Sequence, residues 1–271
     1  MQLFYCDESN LEEHAGDFLI YGGLVIDSDM AHPLSAEIDA LRAAHRLDPQ
    51  FPLKFNPGPQ GVSHQEFIDL KSGMLGLAAK FEAGLIAYVV LHDIAGNADQ
   101  ARRNGINTVC FCFDCLLSRR KQSGLVLIDR FNDQGNQIDA HLVEKFSVGV
   151  TGLPYSKKKR LQNILGFHYS AIGQSHFPSL TDVVIGSLRF AINAHTRGKD
   201  EHLGTASKLL KMIAPLFITD RAGGPVSEIG FTFSPKVVKA EAYRKRYESL
   251  KEFLAANGVE TVQAIAAERW Y

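Results

Sequence analysis

Leu3-Phe4-Tyr5-Cys6-Asp7-Glu8-Ser9 and Asp17-Phe18-Leu19-Ile20-Tyr21-Gly22-Gly23-Leu24-Val25-Ile26 are two apolar, β-forming runs separated by a polar stretch over 10–16. Such a pair predicts a hairpin that opens the chain, and its first strand runs directly into two carboxylates. Downstream, residues 35–45 show helical spacing through Ile38 and Leu41, with Pro33 as a start signal. Residues 49–59 contain Pro49, Pro52, Pro57 and Pro59 and read as a loop carrying Lys54. Ser63, with Glu66 three residues later, is a capping box opening a helix to about Lys80. A strand is predicted over 84–91 and a long helix over 99–119. Leu125-Val126-Leu127-Ile128 is a continuous apolar run of the kind buried in the middle of a sheet, and it ends on Asp129. A helix over 137–146, a weaker strand over 161–169, helices over 179–194 and 205–217, a strand over 228–234 and a charged helix over 237–256 complete the order. A hairpin followed by strands separated by helices predicts an α/β fold, a mixed sheet with helices on its faces. The polar stretch 196–204 divides the chain into a core, 1–200, and an α-rich C-terminal extension, 201–271, packed on it.

The chain has 271 residues, 45% hydrophobic and 22% charged, which is the balance of a globular domain with a sizeable core. Its net charge of -1 argues against a uniformly basic nucleic-acid binder. That total conceals an uneven distribution. The first 41 residues hold nine acids and no Lys or Arg, and the remaining 230 carry 29 basic and 21 acidic residues. An acidic opening and a basic remainder are compatible with a site that meets phosphate. No stretch approaches the roughly 18 uninterrupted apolar residues of a membrane span, and the N-terminus lacks the basic-then-apolar order of a secretory signal. A cytoplasmic protein with no membrane partner is expected. Cys112 and Cys115 have CxxC spacing, but Cys110, Cys112 and Cys115 lie in an apolar helical run with no second CxxC, so buried thiols are expected of them and of Cys6.

The informative acids are those that end apolar elements. Asp7 follows the first strand, Asp129 follows the central strand, and Asp182 stands near the start of an otherwise apolar helix. Each alone is better read as a turn or cap residue. Together, brought to strand ends in an α/β sheet, they are a set of hard oxygen donors suited to Mg²⁺ or Mn²⁺. Two such ions would stabilise both the attacking and the leaving oxygen of a phosphodiester. Glu8 points to the opposite face from Asp7 on a regular strand, so it joins them only if the strand stops there. Asp133 is a further acid, in a segment resembling an ordinary turn. Asp182, Gly186, Arg189 and Asn193 recur at i, i+4, i+7 and i+11, one polar stripe that faces either solvent or a site. Lys54 and Arg189 are the cations expected to neutralise developing phosphate charge.

Phe4-Tyr5-Cys6-Asp7-Glu8-Ser9-Asn10, followed by Phe18-Leu19-Ile20-Tyr21-Gly22-Gly23-Leu24-Val25, resembles the opening of the bacterial family catalogued as domain of unknown function 3800 (DUF3800). That family begins with a strand, Asp-Glu-Ser-Gly, and a second strand containing a small-residue pair. Its later marks correspond here to Leu127-Ile128-Asp129 and to Leu180-Thr181-Asp182-Val183-Val184 with Gly186, so the resemblance spans about residues 1–195. It implies a ribonuclease-H-like fold and a metal-dependent nuclease, often associated with mobile elements or phage defence. It also implies that Asp7, Asp129 and Asp182 are metal ligands. Asn10 stands where the family has Gly, and Thr181 where it has a small Ala; neither change removes a ligand.

Two basic stretches are further phosphate-contact candidates: Ser156-Lys157-Lys158-Lys159-Arg160, and Lys236 to Lys251 with Tyr243 and Tyr247 interleaved, the two tyrosines reading as a packing stripe. His168 and His176 flank the approach to Asp182. The expectation is a Mg²⁺- or Mn²⁺-dependent hydrolase of nucleic acid. The alternatives are a non-catalytic nucleic-acid- or protein-binding member of the same fold, and a phosphohydrolase of small nucleotides.

Overall fold

The first opening run pairs with the second along its whole length. In the computed structural model, which describes residues 1–12, 14–130, 137–151 and 158–268, β1 (Gln2–Ser9) and β2 (Phe18–Asp27) are antiparallel, from Gln2 opposite Asp27 to Ser9 opposite Ile20. A Cβ on Gly23 would lie 1.9 Å from the Tyr5 carbonyl oxygen, so glycine is required for the two strands to close there. β3 (Gly84–Leu91) continues the antiparallel series on the far side of β2. β4 (Gly124–Asp129) adds parallel to β1, and β7 (Ile164–Ser170) adds parallel to β4. β8 (Phe231–Ser234) lies parallel to β3 and completes a mixed six-stranded sheet of order β7-β4-β1-β2-β3-β8. β5 (Val150–Thr151) and β6 (Lys158–Lys159) form a separate antiparallel pair.

Both faces are covered, which is why the central strands read as unbroken apolar runs. Tyr5, Phe18, Ile20, Leu24 and Ile26 pack toward α1 (Ser28–Ala44), α2 (His64–Lys80), α5 (His176–Thr196), α6 (Asp200–Ile213) and α7 (Glu241–Ala256). Phe4, Cys6, Leu19, Tyr21 and Val25 pack toward α3 (Ala98–Arg120) and α4 (Gln137–Ser147). Cys6, Cys110 and Cys112 are buried in this second layer and Cys115 is half-buried. Among the described residues, no helix is long and apolar enough to cross a membrane.

The α/β class and the mixed, helix-flanked sheet are as the pattern predicts. The Ser63 capping box is also present, with the Ser63 hydroxyl accepting from the Glu66 N–H and the Glu66 carboxylate accepting from the Ser63 N–H. Some element starts differ. α1 begins at Ser28, directly out of β2, because Asp27 caps it by accepting from the Asp29 N–H; Pro33 lies inside the helix rather than at its start. α6 begins at Asp200, within the stretch expected to be a loop, since Asp200 and Glu201 occupy a first turn where the helix dipole favours acids. The segment from residue 201 onward, expected to be an extension packed on a core, supplies β8 to the sheet itself. Leu210, Phe231, Tyr247 and Leu254 also share one apolar core with α5.

Candidate functional site

Cys6 is in register with Ile128, the last pair of the parallel β1–β4 ladder, so the next residues, Asp7 within β1 and Asp129 at the end of β4, lie side by side where that ladder stops. This is the edge at which open α/β sheets place ligands. Strand alternation turns Asp7, like Tyr5, toward α5. Glu8 turns the other way. β1 runs on through Ser9, so the early strand end that Glu8 required does not occur, and its carboxylate pairs with Arg102 of α3 at 3.3 Å. Glu8 therefore borders the site from the far face of the sheet, with its charge already partnered.

Asp182 comes from α5, which crosses β1 and β2. The helix begins at His176, with Ser175 as its N-cap, so Asp182 sits in the second turn and is neither a cap nor a first-turn acid. Its carboxylate accepts the Phe55 N–H at 2.5 Å. That contact fixes the proline-rich loop before α2, which is ordered by several further interactions. The buried Arg42 guanidinium donates to the carbonyls of Asp48, Pro49 and Phe51. Lys71 lies 4.3 Å from the centroids of both Phe55 and Phe67. The Phe55 ring rests on Gly186, where a Cβ would come within 2.5 Å of it. Gly186 thus admits Phe55, and Phe55 places Lys54 beside the acids.

These groups line one cavity of about 840 Å³. Asp7, Asp129, Asp182 and Lys54 line it together with Gly186, Arg189 and Asn193, so the polar stripe of α5 faces the site and not solvent. The Arg189 guanidinium carbon is 5.8 Å from the Phe55 ring centroid. Asn10 has φ 58, a left-handed conformation that asparagine tolerates better than most residues. Its side-chain amide pairs with that of Asn193. Thr181 is buried, its hydroxyl has no hydrogen-bond partner among the described residues, and it lines a small second cavity of about 10 Å³ together with Asp7 and Asp129.

The electrostatics are those of like charges held together. Burial raises the pKa of Asp7 well above the usual carboxylate range, and the charges of Asp182, Asp129 and Glu8 add to the shift. Burial also raises Asp129 and Asp182, while Lys54 opposes the shift on both and Arg189 opposes it on Asp182. Burial raises Glu8 as well, and Arg102 draws it back. Carboxylates in this condition ionise fully when a further cation joins them. In donor chemistry the three aspartates therefore fit a hard divalent cation. Among the described residues, however, no group of three or more His, Cys, Asp or Glu side chains is arranged to hold a metal ion as it stands.

Other expected residues lie elsewhere. His168 is exposed on β7, and His176 pairs with Asp39 at 2.8 Å; neither lines the cavity. The second basic stretch is engaged in structural contacts: Lys245 with Glu241, Arg244 with Glu248, Arg246 with Asp93, and Lys236 with Glu228. Tyr247 is fully buried, accepting from the Leu91 N–H and donating to the Ser234 carbonyl, so it packs rather than stacks on a ligand. Asp133 and its turn, and Ser156 and Lys157 of the first basic run, lie outside the described residues. The cavity also contains His14, Phe190, Arg197, Lys199 and His202, which were not singled out. Arg197 continues the α5 stripe at i+15, so extending the same spacing would have found it. Set against known protein families, curated proteins and solved structures, the chain matches none.

Proposed function

We propose that this protein is a ribonuclease-H-like, Mg²⁺- or Mn²⁺-dependent hydrolase of nucleic-acid phosphodiester bonds, akin to the DUF3800 family. The observation that carries the reading is the side-by-side placement of Asp7 and Asp129, where the parallel β1–β4 pairing stops, at a cavity they share with Asp182. The mixed six-stranded sheet with helices on both faces supports the reading as far as the α/β class. Asp7, Asp129 and Asp182 would hold the metal, which when bound supplies an activated water and charge stabilisation at the phosphate. Lys54 and Arg189, at the same cavity, neutralise charge that builds on the phosphate oxygens. The Phe55 N–H keeps Asp182 oriented, and the Asn10–Asn193 pair holds the end of β1 against α5.

The second reading is a nucleic-acid- or protein-binding member of the fold without catalysis. It is favoured by the side chains as they stand, since among the described residues no three His, Cys, Asp or Glu are arranged to hold a metal ion. Incubation with labelled single- and double-stranded DNA and RNA, and with free nucleotides, in Mn²⁺, Mg²⁺ or chelator distinguishes the two. The hydrolase reading expects metal-dependent cleavage of polymer that Asp7→Asn and Asp129→Asn abolish. Cleavage that survives both substitutions removes the proposed site, hydrolysis confined to free nucleotides redirects it to small substrates, and no cleavage under any metal favours the binding reading.

A further inference from the structure

The cavity continues beyond the carboxylates. It is lined by Arg189, Phe190, Asn193 and Arg197 along α5 and by Lys199 and His202 where α6 begins. Helical rise puts Phe190 about 12 Å and Arg197 about 22 Å from Asp182 along the axis. Three rings meet in this arm: the Phe190 centroid lies 6.2 Å from that of Phe55 and 5.7 Å from that of His202. Phe190 is half-buried and His202 exposed, and both line the cavity beside Arg189 and Lys199. Arg197 differs from these cations because Asp17 holds it through two oxygens.

Phosphodiester hydrolysis at the carboxylates makes no use of an aromatic wall. A partly accessible ring flanked by cations is, however, the composition that holds an unpaired nucleotide, the base lying on the ring and the phosphate meeting the charge. In a duplex the faces of each base are covered by its neighbours, so Phe190 would have no base face to meet. We propose that the α5 arm of the cavity is a subsite for an unpaired nucleic-acid strand. A base stacks on Phe190 and His202, while Arg189 and Lys199 contact phosphates flanking the bond presented to the carboxylates. The inference rests on reading the cavity as a phosphodiester site and adds the strandedness of its substrate.

Fluorescence anisotropy with labelled single strands and the matching duplexes, as DNA and as RNA and in chelator, measures binding apart from chemistry. The wild type is expected to bind the single strand more tightly than the duplex. Phe190→Leu, which keeps the volume and loses the ring face, weakens single-strand binding about tenfold or more. Phe190→Tyr, which keeps the ring, retains binding and serves as the folding control. Equal affinity for duplex and single strand, or wild-type binding by Phe190→Leu, overturns the proposal. Mn²⁺-dependent cleavage assayed in parallel separates the two readings. Cleavage with binding indifferent to Phe190 removes the subsite and leaves the hydrolase, whereas ring-dependent binding without cleavage leaves the subsite and removes the hydrolase.

Discussion

The amides of Asn10 and Asn193 exchange two hydrogen bonds, one of 2.7 Å and one of 3.1 Å, and so tie the end of β1 to the third turn beyond Asp182. Residues 183 positions apart in sequence thereby set the spacing between the strand that carries Asp7 and the helix that carries Asp182. Asn10→Gly keeps the left-handed backbone and removes the pair, and Asn193→Ala removes it from the other side. Each is expected to cost about 1 kcal/mol of stability, and the double variant less than the sum. Urea unfolding of the four proteins measures the coupling; strict additivity would show that the two amides do not act as a unit.

Gly186 and Phe55 make a second test of how the site is assembled. Gly186→Ala places a methyl group 2.5 Å from the Phe55 side chain, so the loop that carries Lys54 must move. A loss of about 1–3 kcal/mol is expected, with reduced activity. Phe55→Ala in the same chain should recover part of the stability by emptying the contested space. If Gly186→Ala is neutral in both thermal unfolding and activity, the loop is not seated on this helix.

Replacing a site acid should stabilise the metal-free protein. Asp7 has its pKa raised in the fold by burial and by three neighbouring carboxylates, so its ionised form at neutral pH weighs against the folded state. Asp7→Asn removes that charge. In chelator at neutral pH the variant is expected to gain on the order of 1 kcal/mol, a Tm rise of about 2–4 °C. A Tm that falls instead would make Asp7 a structural anchor rather than a strained site residue.

Thr181 supplies an independent measure of polar strain beside the acids. Its buried hydroxyl lacks a partner among the described residues, and the isosteric Thr181→Val removes an undercompensated polar group. A stability gain of about 1 kcal/mol is expected from thermal unfolding. A comparable loss would mean that the hydroxyl is hydrogen-bonded, for instance through a water in the small cavity it lines.

Acid sensitivity has a source outside the site. Burial, aided by Lys145, pushes the pKa of His141 down to about 4, and its Nε2 has no hydrogen-bond partner among the described residues. An unfolded chain takes up this proton near pH 6.5, and the folded one only near 4. The stability is therefore whole above the higher value and is lost as pH falls toward the lower one. Solvent exposure reduces the effect to about 1–2 kcal/mol. Raised carboxylate pKa values act in the opposite sense over the same range, so the informative quantity is the difference between wild type and His141→Gln. Unfolding midpoints that fall in parallel from pH 7 to 4.5 would show that His141 titrates normally.

The chain's own residues announced the hairpin, the central strand and the three aspartates, because apolar runs that stop at an acid show both the element and its end. Glu8 was undecided for a definite reason: whether β1 stops at Asp7 or runs to Ser9 depends on its pairing with β2, a tertiary fact. The place of Lys54 was legible only as a loop, since its position depends on Phe55 seated on Gly186 and on the hydrogen bond to Asp182, far away in sequence. His168 and His176 looked relevant by their nearness to Asp182 in the chain. In space, β7 exposes one and Asp39 holds the other. The stripe on α5 left site and solvent equally open, because periodicity gives a face but not what lies opposite it.

Titration of Mn²⁺ into the metal-free protein, followed by electron paramagnetic resonance, measures whether Asp7, Asp129 and Asp182 hold a metal ion. The wild type is expected to remove free Mn²⁺ from solution, and Mn²⁺ to raise its Tm, since a ligand bound only by the fold stabilises it. Asp7→Asn and Asp129→Asn should each lose both effects. Mn²⁺ binding that is undiminished in both variants, or absent from the wild type, would contradict the assignment of Asp7, Asp129 and Asp182 as a metal-holding site.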